Sequence, residues 1–244
     1  MKEYIYSRNA VYETLRAGQR QVFQLLIAEG VKQNERINEI ISLARNQNIQ
    51  PQRVPRNRLD GIHRQHQGVI LQVSGFPYRD LADILKLALE RGEEPLVLLL
   101  DTLQDPQNLG TLLRTAEAVG IHGVVIPKAH TALVTPAVVN ASSGASEHLL
   151  IAQSNLAQAI ALLKDQGVWI VGLEGSPQAR KPSQIRLDGA LGLVVGSEGQ
   201  GMRHLVRNSC DLLMQLPMRG KIESLNAAVA GSIALYLISQ VRNP

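Results

Sequence analysis

Three glycines, Gly196, Gly199 and Gly201, punctuate the run LVVGSEGQGM, in which branched apolar residues pass straight into a glycine-rich loop. Such a loop lets the backbone approach a ligand closely and adopt positive φ, which makes it a candidate wall of a nucleotide pocket. Its spacing, G-x-x-G-x-G, is not the dinucleotide fingerprint, and no G-x-x-x-x-G-K-S/T run for a P-loop occurs. NAD and ATP are therefore disfavoured as ligands. Taken alone, the loop is equally compatible with a plain turn.

Two further stretches add polar groups of the right kind. DTLQDPQNLGTLLRTAEAVGI follows an apolar run and puts Asn108 and Arg114 near the start of a helix. LPMRGKIESLNAAVAGSIALY carries Ser224 and Asn226 at another helix entry, where exposed N–H groups and small side chains can hold a ligand. Helix capping is the competing account of Asn108, Ser224 and Asn226 taken singly. Three such loops on one sheet are harder to explain that way. Metal chemistry is not expected: the single cysteine, Cys210, has no ligand-spaced partners and reads as a packed small residue. His148, closing SSGASEHL, reads as structural.

The elements that must position these residues fall into two sets. From Pro95 onward strand and helix patterns alternate, with near-continuous Val, Ile and Leu runs such as PLVLLLD, GVVIP and LGLVVG. This argues for an α/β domain with a parallel sheet covered on both faces, where ligands gather beyond the carboxyl ends of the strands. Before it, VFQLLIAEG reads as a strand and QNERINEIISLARNQN as a helix with Ile37, Ile40, Ile41 and Ala44 on one face. A proline-broken basic loop, IQPQRVPRNR, and a strand, GVILQVSGF, complete a small α/β unit. Arg53, Arg56 and Arg58 of that loop are candidate phosphate contacts. The expected division is 1–75 for the small domain, 76–94 for a linker and 95–244 for the parallel-sheet domain. Leu81, Ile84, Leu85, Ala88 and Leu89 give the linker an apolar helical face that should dock.

Composition agrees with a globular chain: 244 residues, 45% hydrophobic and 19% charged. No apolar run is long enough to span a membrane, and MKEYIYSRN does not read as a signal peptide, so a cytoplasmic location is expected. The net charge is +4, and the excess lies early, with fourteen Lys or Arg against nine Asp or Glu in residues 1–92. That asymmetry suggests a segment that meets a polyanion. Aromatics are only 3%, which argues against broad stacking platforms as the main recognition device.

The succession DPQNLGTLLRTAEAVG, SSGASEHL, LVVGSEGQGM and LPMRGKIESLNAAVA closely resembles the SpoU, or TrmH-like, family of RNA ribose 2'-O-methyltransferases. The resemblance covers about residue 95 to the C-terminus, while YIYSRNAVYETLRAG and HQGVILQV resemble the family's ribosomal-protein-like substrate-binding domain. It implies S-adenosylmethionine as cofactor, a SPOUT-type deep trefoil knot formed by the C-terminal segment, and a homodimer joined through the knotted domain. By motif position it implies that Gly196, Leu216 and Leu225 line the cofactor pocket, with Glu198, Gly201, Met218 and Ser224 close by. Asn108, Arg114, Glu198 and Asn226 take the family's active-site positions, with Arg114 its usual catalytic candidate. The common SLNVSVA form is here SLNAAVA, with Ala227 and Ala228, which bears on local packing. The chain is most similar to the branch that methylates a guanosine of large-subunit (23S) rRNA. The alternatives are a tRNA methyltransferase, an antibiotic-resistance rRNA adenosine methyltransferase of the same family, and a non-catalytic RNA-binding protein.

Overall fold

The computed structural model describes residues 2–242. The chain forms two compact units, Met1–Pro77 with Leu133–His148 and Tyr78–Ala132 with Leu149–Pro244. No helix among the described residues is long and apolar enough to cross a membrane.

Unit 1 contains a four-stranded sheet of β1 (Lys2–Tyr6), β2 (Val22–Ala28), β3 (Pro51–Val54) and β4 (Val69–Ser74), in the order β1-β4-β2-β3. β4 runs antiparallel to both neighbours, and β2 and β3 are parallel. Alternation along the strands gives the sheet two different faces. Ile5, Leu25, Ile27, Leu71 and Val73 are fully buried on one, with α1 (Arg8–Ala17) and α2 (Glu35–Asn46), which pack on each other. On the other, Tyr6, Leu26, Val54 and Ile70 form a small core closed by Leu59 of α3 (Arg56–Asp60). The basic stretch expected as a loop is thus a strand and a helical turn: Arg53 lies in β3, and Arg56 and Arg58 in α3. Pro51 is tolerated there because β3 is the sheet's edge.

Residues 133–148 belong to this unit although they follow a strand of the other. They form α6 (Pro136–Ala141), packed on β1, and a 3-10 turn, Ala145–His148, packed on α1. A buried ion pair fixes the turn: Glu147 accepts from Arg20 Nε at 2.9 Å and Nη2 at 2.8 Å, and both side chains are wholly inaccessible. Arg20 also donates to Glu3 at 2.7 Å and to the Ser74 carbonyl at 3.1 Å. His148 pairs with Glu13 at 2.8 Å, a structural contact.

Unit 2 is built on six parallel strands, β5 (Leu96–Leu100), β6 (Gly123–Ile126), β7 (Ile151–Gln153), β8 (Trp169–Leu173), β9 (Leu191–Val195) and β10 (Leu212–Met214). Their order is β10-β8-β9-β5-β6-β7. α4 (Leu81–Arg91), α7 (Leu156–Asp165) and α8 (His204–Ser209) share one core with Val97, Leu99, Val125, Ile170 and Val194. α5 (Pro106–Ala118) and α9 (Ala227–Arg242) pack on each other against the opposite face. Covering both faces explains the unbroken apolar strands: every residue of β5 and β9 is buried. Each such leucine or valine stabilises the fold by about 1.5–3 kcal/mol. The linker helix α4 docks through Ile84 and Ala88, whereas Leu89, expected on the same face, is 81% exposed. Cys210 packs against this core; burial, reinforced by Asp211, pushes its thiol up to about 12 and keeps it protonated.

From β5 the chain steps outward through β6 to β7, then returns to lay β9 against β5 on its other side. The junction between β5 and β9 is therefore the switch point at which parallel sheets open a crevice beyond their carboxyl ends.

Candidate active site

β5 is followed directly by Asp101, a fully buried carboxylate. Its backbone N–H continues the parallel pairing by donating to Val195 O at 2.8 Å. Its side chain accepts from the backbone N–H and the Nε of Arg203, both at 2.7 Å. One buried group thus ties the end of β5 to the far end of the glycine-rich loop. That loop is a tight reversal in which Ser197 and Gly201 exchange backbone hydrogen bonds of 3.0 Å each way. Gly196 is required by contact: a Cβ there would lie 2.3 Å from the Gly201 carbonyl carbon and 2.4 Å from Met202 N. Gly201 is required by conformation, at φ 67°.

The reversal presents Glu198 to solvent beside the first turn of α5. Asp105 caps that helix, accepting from Gln107 N at 2.9 Å, with Pro106 as its first residue. Asn108 is accordingly not a cap, and its side chain is used elsewhere. Its Nδ2 donates to Glu198 Oε1 at 2.6 Å, and its Oδ1 accepts from Asn226 Nδ2 at 3.1 Å. Asn226 does cap a helix, its Oδ1 accepting from Ala228 N at 2.9 Å and Val229 N at 3.1 Å at the start of α9. Its Nδ2 also donates to Glu198 Oε1. Capping occupies only the oxygen of the Asn226 amide, which leaves its nitrogen to reach Asn108 and Glu198.

Asn108, Glu198 and Asn226 come from three chain segments 28 to 118 positions apart and close a single polar ring. Beside it opens a cavity of about 490 Å³ lined by Thr102, Asp105, Asn108, His130, Glu198 and Arg203 among others. Arg114 stands farther along α5, exposed and outside that lining. Leu216, Met218, Ser224 and Leu225 lie in the coil from β10 to α9, also outside it, with Met218 38% and Leu225 36% exposed. Arg53, Arg56 and Arg58 are exposed in unit 1. No cluster of three His, Cys, Asp or Glu side chains suited to a metal occurs among the described residues.

Sequence reasoning missed Asp101, Arg203 and His130. A signal existed for the first, since an acidic residue ending a wholly apolar strand needs a buried partner. None existed for Arg203, whose importance comes from the fold bringing it back to β5.

Residues 95–236 match the family model described as the SpoU rRNA Methylase family. The chain belongs to the SpoU methylase family. Residues 4–79 of this SpoU methylase match a second model, described as RNA 2'-O ribose methyltransferase substrate binding. YacO of Bacillus subtilis (strain 168), assigned by its name to the TrmH family of tRNA/rRNA methyltransferases, is 44% identical over 99% of this SpoU methylase and 97% of its own length. A like-named Staphylococcus aureus protein (strain MSSA476) is 42% identical over 98% of this chain and 96% of its own. Among solved structures, the SpoU methyltransferase AviRb of Streptomyces viridochromogenes, in complex with AdoMet, shares the fold at TM-score 0.81 and 22% identity, covering 99% of this chain and 90% of that one. An AdoMet-bound rRNA methyltransferase of Sinorhizobium meliloti gives TM-score 0.80 at 22% identity, over 98% and 87%.

Proposed function

We propose that this SpoU methylase transfers a methyl group from S-adenosylmethionine to the ribose 2'-hydroxyl of a guanosine in large-subunit (23S) rRNA, in the cytoplasm and as a homodimer. The observation that carries the reading is the ring of Asn108, Glu198 and Asn226 at the switch point between β5 and β9.

S-adenosylmethionine is the cofactor of the family, and the site's residues suit it. The coil before α9 holds out Met218, Ile222 and Leu225, apolar side chains 38%, 69% and 36% exposed. Exposed apolar side chains beside a polar ring fit a ligand with a flat purine at one end and charged groups at the other. A Cβ on Gly199 or Gly201 would meet nothing within 4 Å, so the loop backbone there is open to a ligand. We assign Gly196, Gly201, Leu216, Met218, Ser224 and Leu225 to holding the cofactor.

When bound, S-adenosylmethionine supplies an electrophilic methyl carbon, and the protein is left to position the acceptor and manage its proton. Asn108 and Asn226 fix the carboxylate of Glu198 from two sides, so that its other oxygen can receive the ribose hydroxyl hydrogen. A guanidinium is a poor base because it holds its proton. Arg114 is therefore assigned to orienting the ribose and its phosphate and to stabilising the developing alkoxide.

The homodimer is supported by Val229, Ile233 and Tyr236 on α9, which repeat at helical spacing and are 43%, 40% and 58% exposed. A knot within 95–244 is supported by the chain's return from edge strand β10 to start α9 at Asn226, beside Glu198 and Asn108. The basic unit 1 is assigned to holding RNA, with Arg53, Arg56 and Arg58 on phosphates.

Labelled S-adenosylmethionine, offered separately with undermodified large-subunit rRNA and with bulk tRNA, tests the target. Label on one rRNA guanosine is expected, at a position that resists alkaline cleavage because its 2'-hydroxyl is methylated. Label in tRNA alone, or on an adenosine, overturns the target and leaves the chemistry standing. For Arg114, a lysine variant whose pH–rate profile acquires a lysine-like pKa would establish direct base catalysis and reject the assignment made here.

A further inference from the structure

Half of one face of the unit 1 sheet carries no helix. Where α3 ends, Tyr4 of β1 lies opposite Gln72 of β4, and Gln72 opposite Gln24 of β2. Gln52 of β3, level with Leu26, shares that face, so the row crosses all four strands. The side chains are bonded in pairs: Gln72 Nε2 donates to Tyr4 Oη at 2.7 Å, and Gln24 Nε2 to Gln52 Oε1 at 2.5 Å. Three amides carry more donors and acceptors than these two bonds use.

Two aromatic rings flank the row. Tyr4 is 38% exposed and Phe23 37%. Phe23 is the extra residue of a bulge between Val22 and Gln24, which turns its ring beneath the ammonium of Lys2, 4.8 Å from the centroid. Lys2 shares the face of Tyr4 by alternation. The aromatic poverty of the sequence argues against a broad stacking platform, yet two of its eight rings lie on this face.

We propose that this open half-sheet is a platform for unpaired nucleotides of the substrate RNA, with Tyr4 and Phe23 stacking on bases and Gln24 and Gln72 hydrogen-bonding to their edges. The proposal rests on reading the chain as an RNA methyltransferase, and it specifies where and in what form RNA is held. Charge favours this occupant. Unit 1 holds eleven Lys or Arg against seven Asp or Glu. Two carboxylates of the neighbouring elements are engaged elsewhere, Glu3 of β1 by Arg20 on the opposite face and Asp60 of α3 by His66 at 3.0 Å. The match of residues 4–79 to a substrate-binding model spans every strand of the sheet but the first two residues of β1. A duplex would hide the base faces and edges that rings and amides read, whereas single-stranded bases offer both.

The test is binding of the full chain to a ten-nucleotide single-stranded RNA of mixed sequence and to a duplex of the same sequence, followed by fluorescence anisotropy. The wild type is expected to prefer the single strand. Phe23→Ala and Tyr4→Ala should each weaken single-strand binding by about tenfold and leave duplex binding unchanged. Phe23→Tyr, which restores a ring, should recover the affinity. Equal loss on both RNAs, loss of less than twofold, or no single-strand preference in the wild type overturns the platform. Because no methyl transfer is measured, a platform that passes while rRNA goes unmethylated would reject the target alone; one that fails beside normal methylation would reject the platform alone.

Discussion

The amide nitrogen of Asn226 lies 3.1 Å from the amide oxygen of Asn108, and what else the two side chains touch fixes the orientation of both. The Asn226 oxygen is committed to the N–H groups of Ala228 and Val229, which turns its nitrogen toward Asn108 and Glu198. Asn108 gives its own nitrogen to Glu198, leaving only its oxygen for Asn226. Helix capping and site assembly are therefore one arrangement.

Asn226→Asp separates these two uses. An aspartate keeps the acceptor for α9 but sets a second negative charge against Glu198. Methyl transfer is expected to fall at least tenfold, with a smaller loss of melting temperature than in Asn226→Ala, which gives up a cap worth about 1 kcal/mol. Wild-type activity in Asn226→Asp would dismiss the amide as a donor.

Asp101 should prove as important as the ring, though it lies beneath it. Replacing it with Ala removes the acceptor of the Arg203 N–H and side chain and frees the end of the glycine-rich loop from β5. The expected loss is about 2–3 kcal/mol in denaturant unfolding, since a hydrogen bond to a charged group is worth about 1.5–3 kcal/mol and the Arg203 side chain, 52% exposed, adds little to the one from its backbone. Cofactor affinity measured by calorimetry should drop with it. Unchanged cofactor affinity would mean that the loop holds its shape unaided.

The Arg20–Glu147 pair makes a distinct prediction for unit 1. With both side chains inaccessible, Arg20→Ala leaves a carboxylate whose pKa burial already raises, and should cost about 3–5 kcal/mol. The double variant Arg20→Met with Glu147→Leu should recover most of that, because it removes the stranded charge. A double variant no more stable than Arg20→Ala would show that the hydrogen bonds to Glu3 and Ser74 carry the stability.

His122 sets a pH dependence in unit 2. Its Nδ1 accepts from Leu96 N at 3.0 Å, so the ring proton sits on Nε2, facing Glu93 at 3.0 Å. Burial lowers its pKa from 6.5, outweighing the opposing pull of Glu93. The unfolded chain therefore binds the proton more readily than the folded one. This contribution to stability is complete above about pH 6.5 and is lost as the pH falls below it. His122→Asn, which keeps an acceptor for Leu96, should lose less stability than the wild type between pH 7.5 and 5.0 in urea titrations. Equal losses would assign the acid sensitivity to other groups.

Much of the fold was legible because the apolar runs of β5, β6 and β9 are strands buried on both faces, and helix α2 shows its buried Ile37, Ile40 and Ala44 at helical spacing. The basic stretch around Arg53 misled because prolines that suggest a loop are also tolerated on an edge strand. Local pattern likewise could not assign residues 133–148 to unit 1, since what holds them is Arg20, more than a hundred positions away.

The sequence by itself determined the two α/β sets, the glycine positions and the kinds of side chain at the three loops, because these follow from short-range periodicity and steric requirement. Tertiary structure alone decided that one oxygen of Glu198 receives both asparagines, that Asp101 holds Arg203, and that Tyr4 and Phe23 share a face with three glutamines. Those relationships depend on strand order and register, which are set by the packing of the whole sheet and leave no mark on any single stretch of chain.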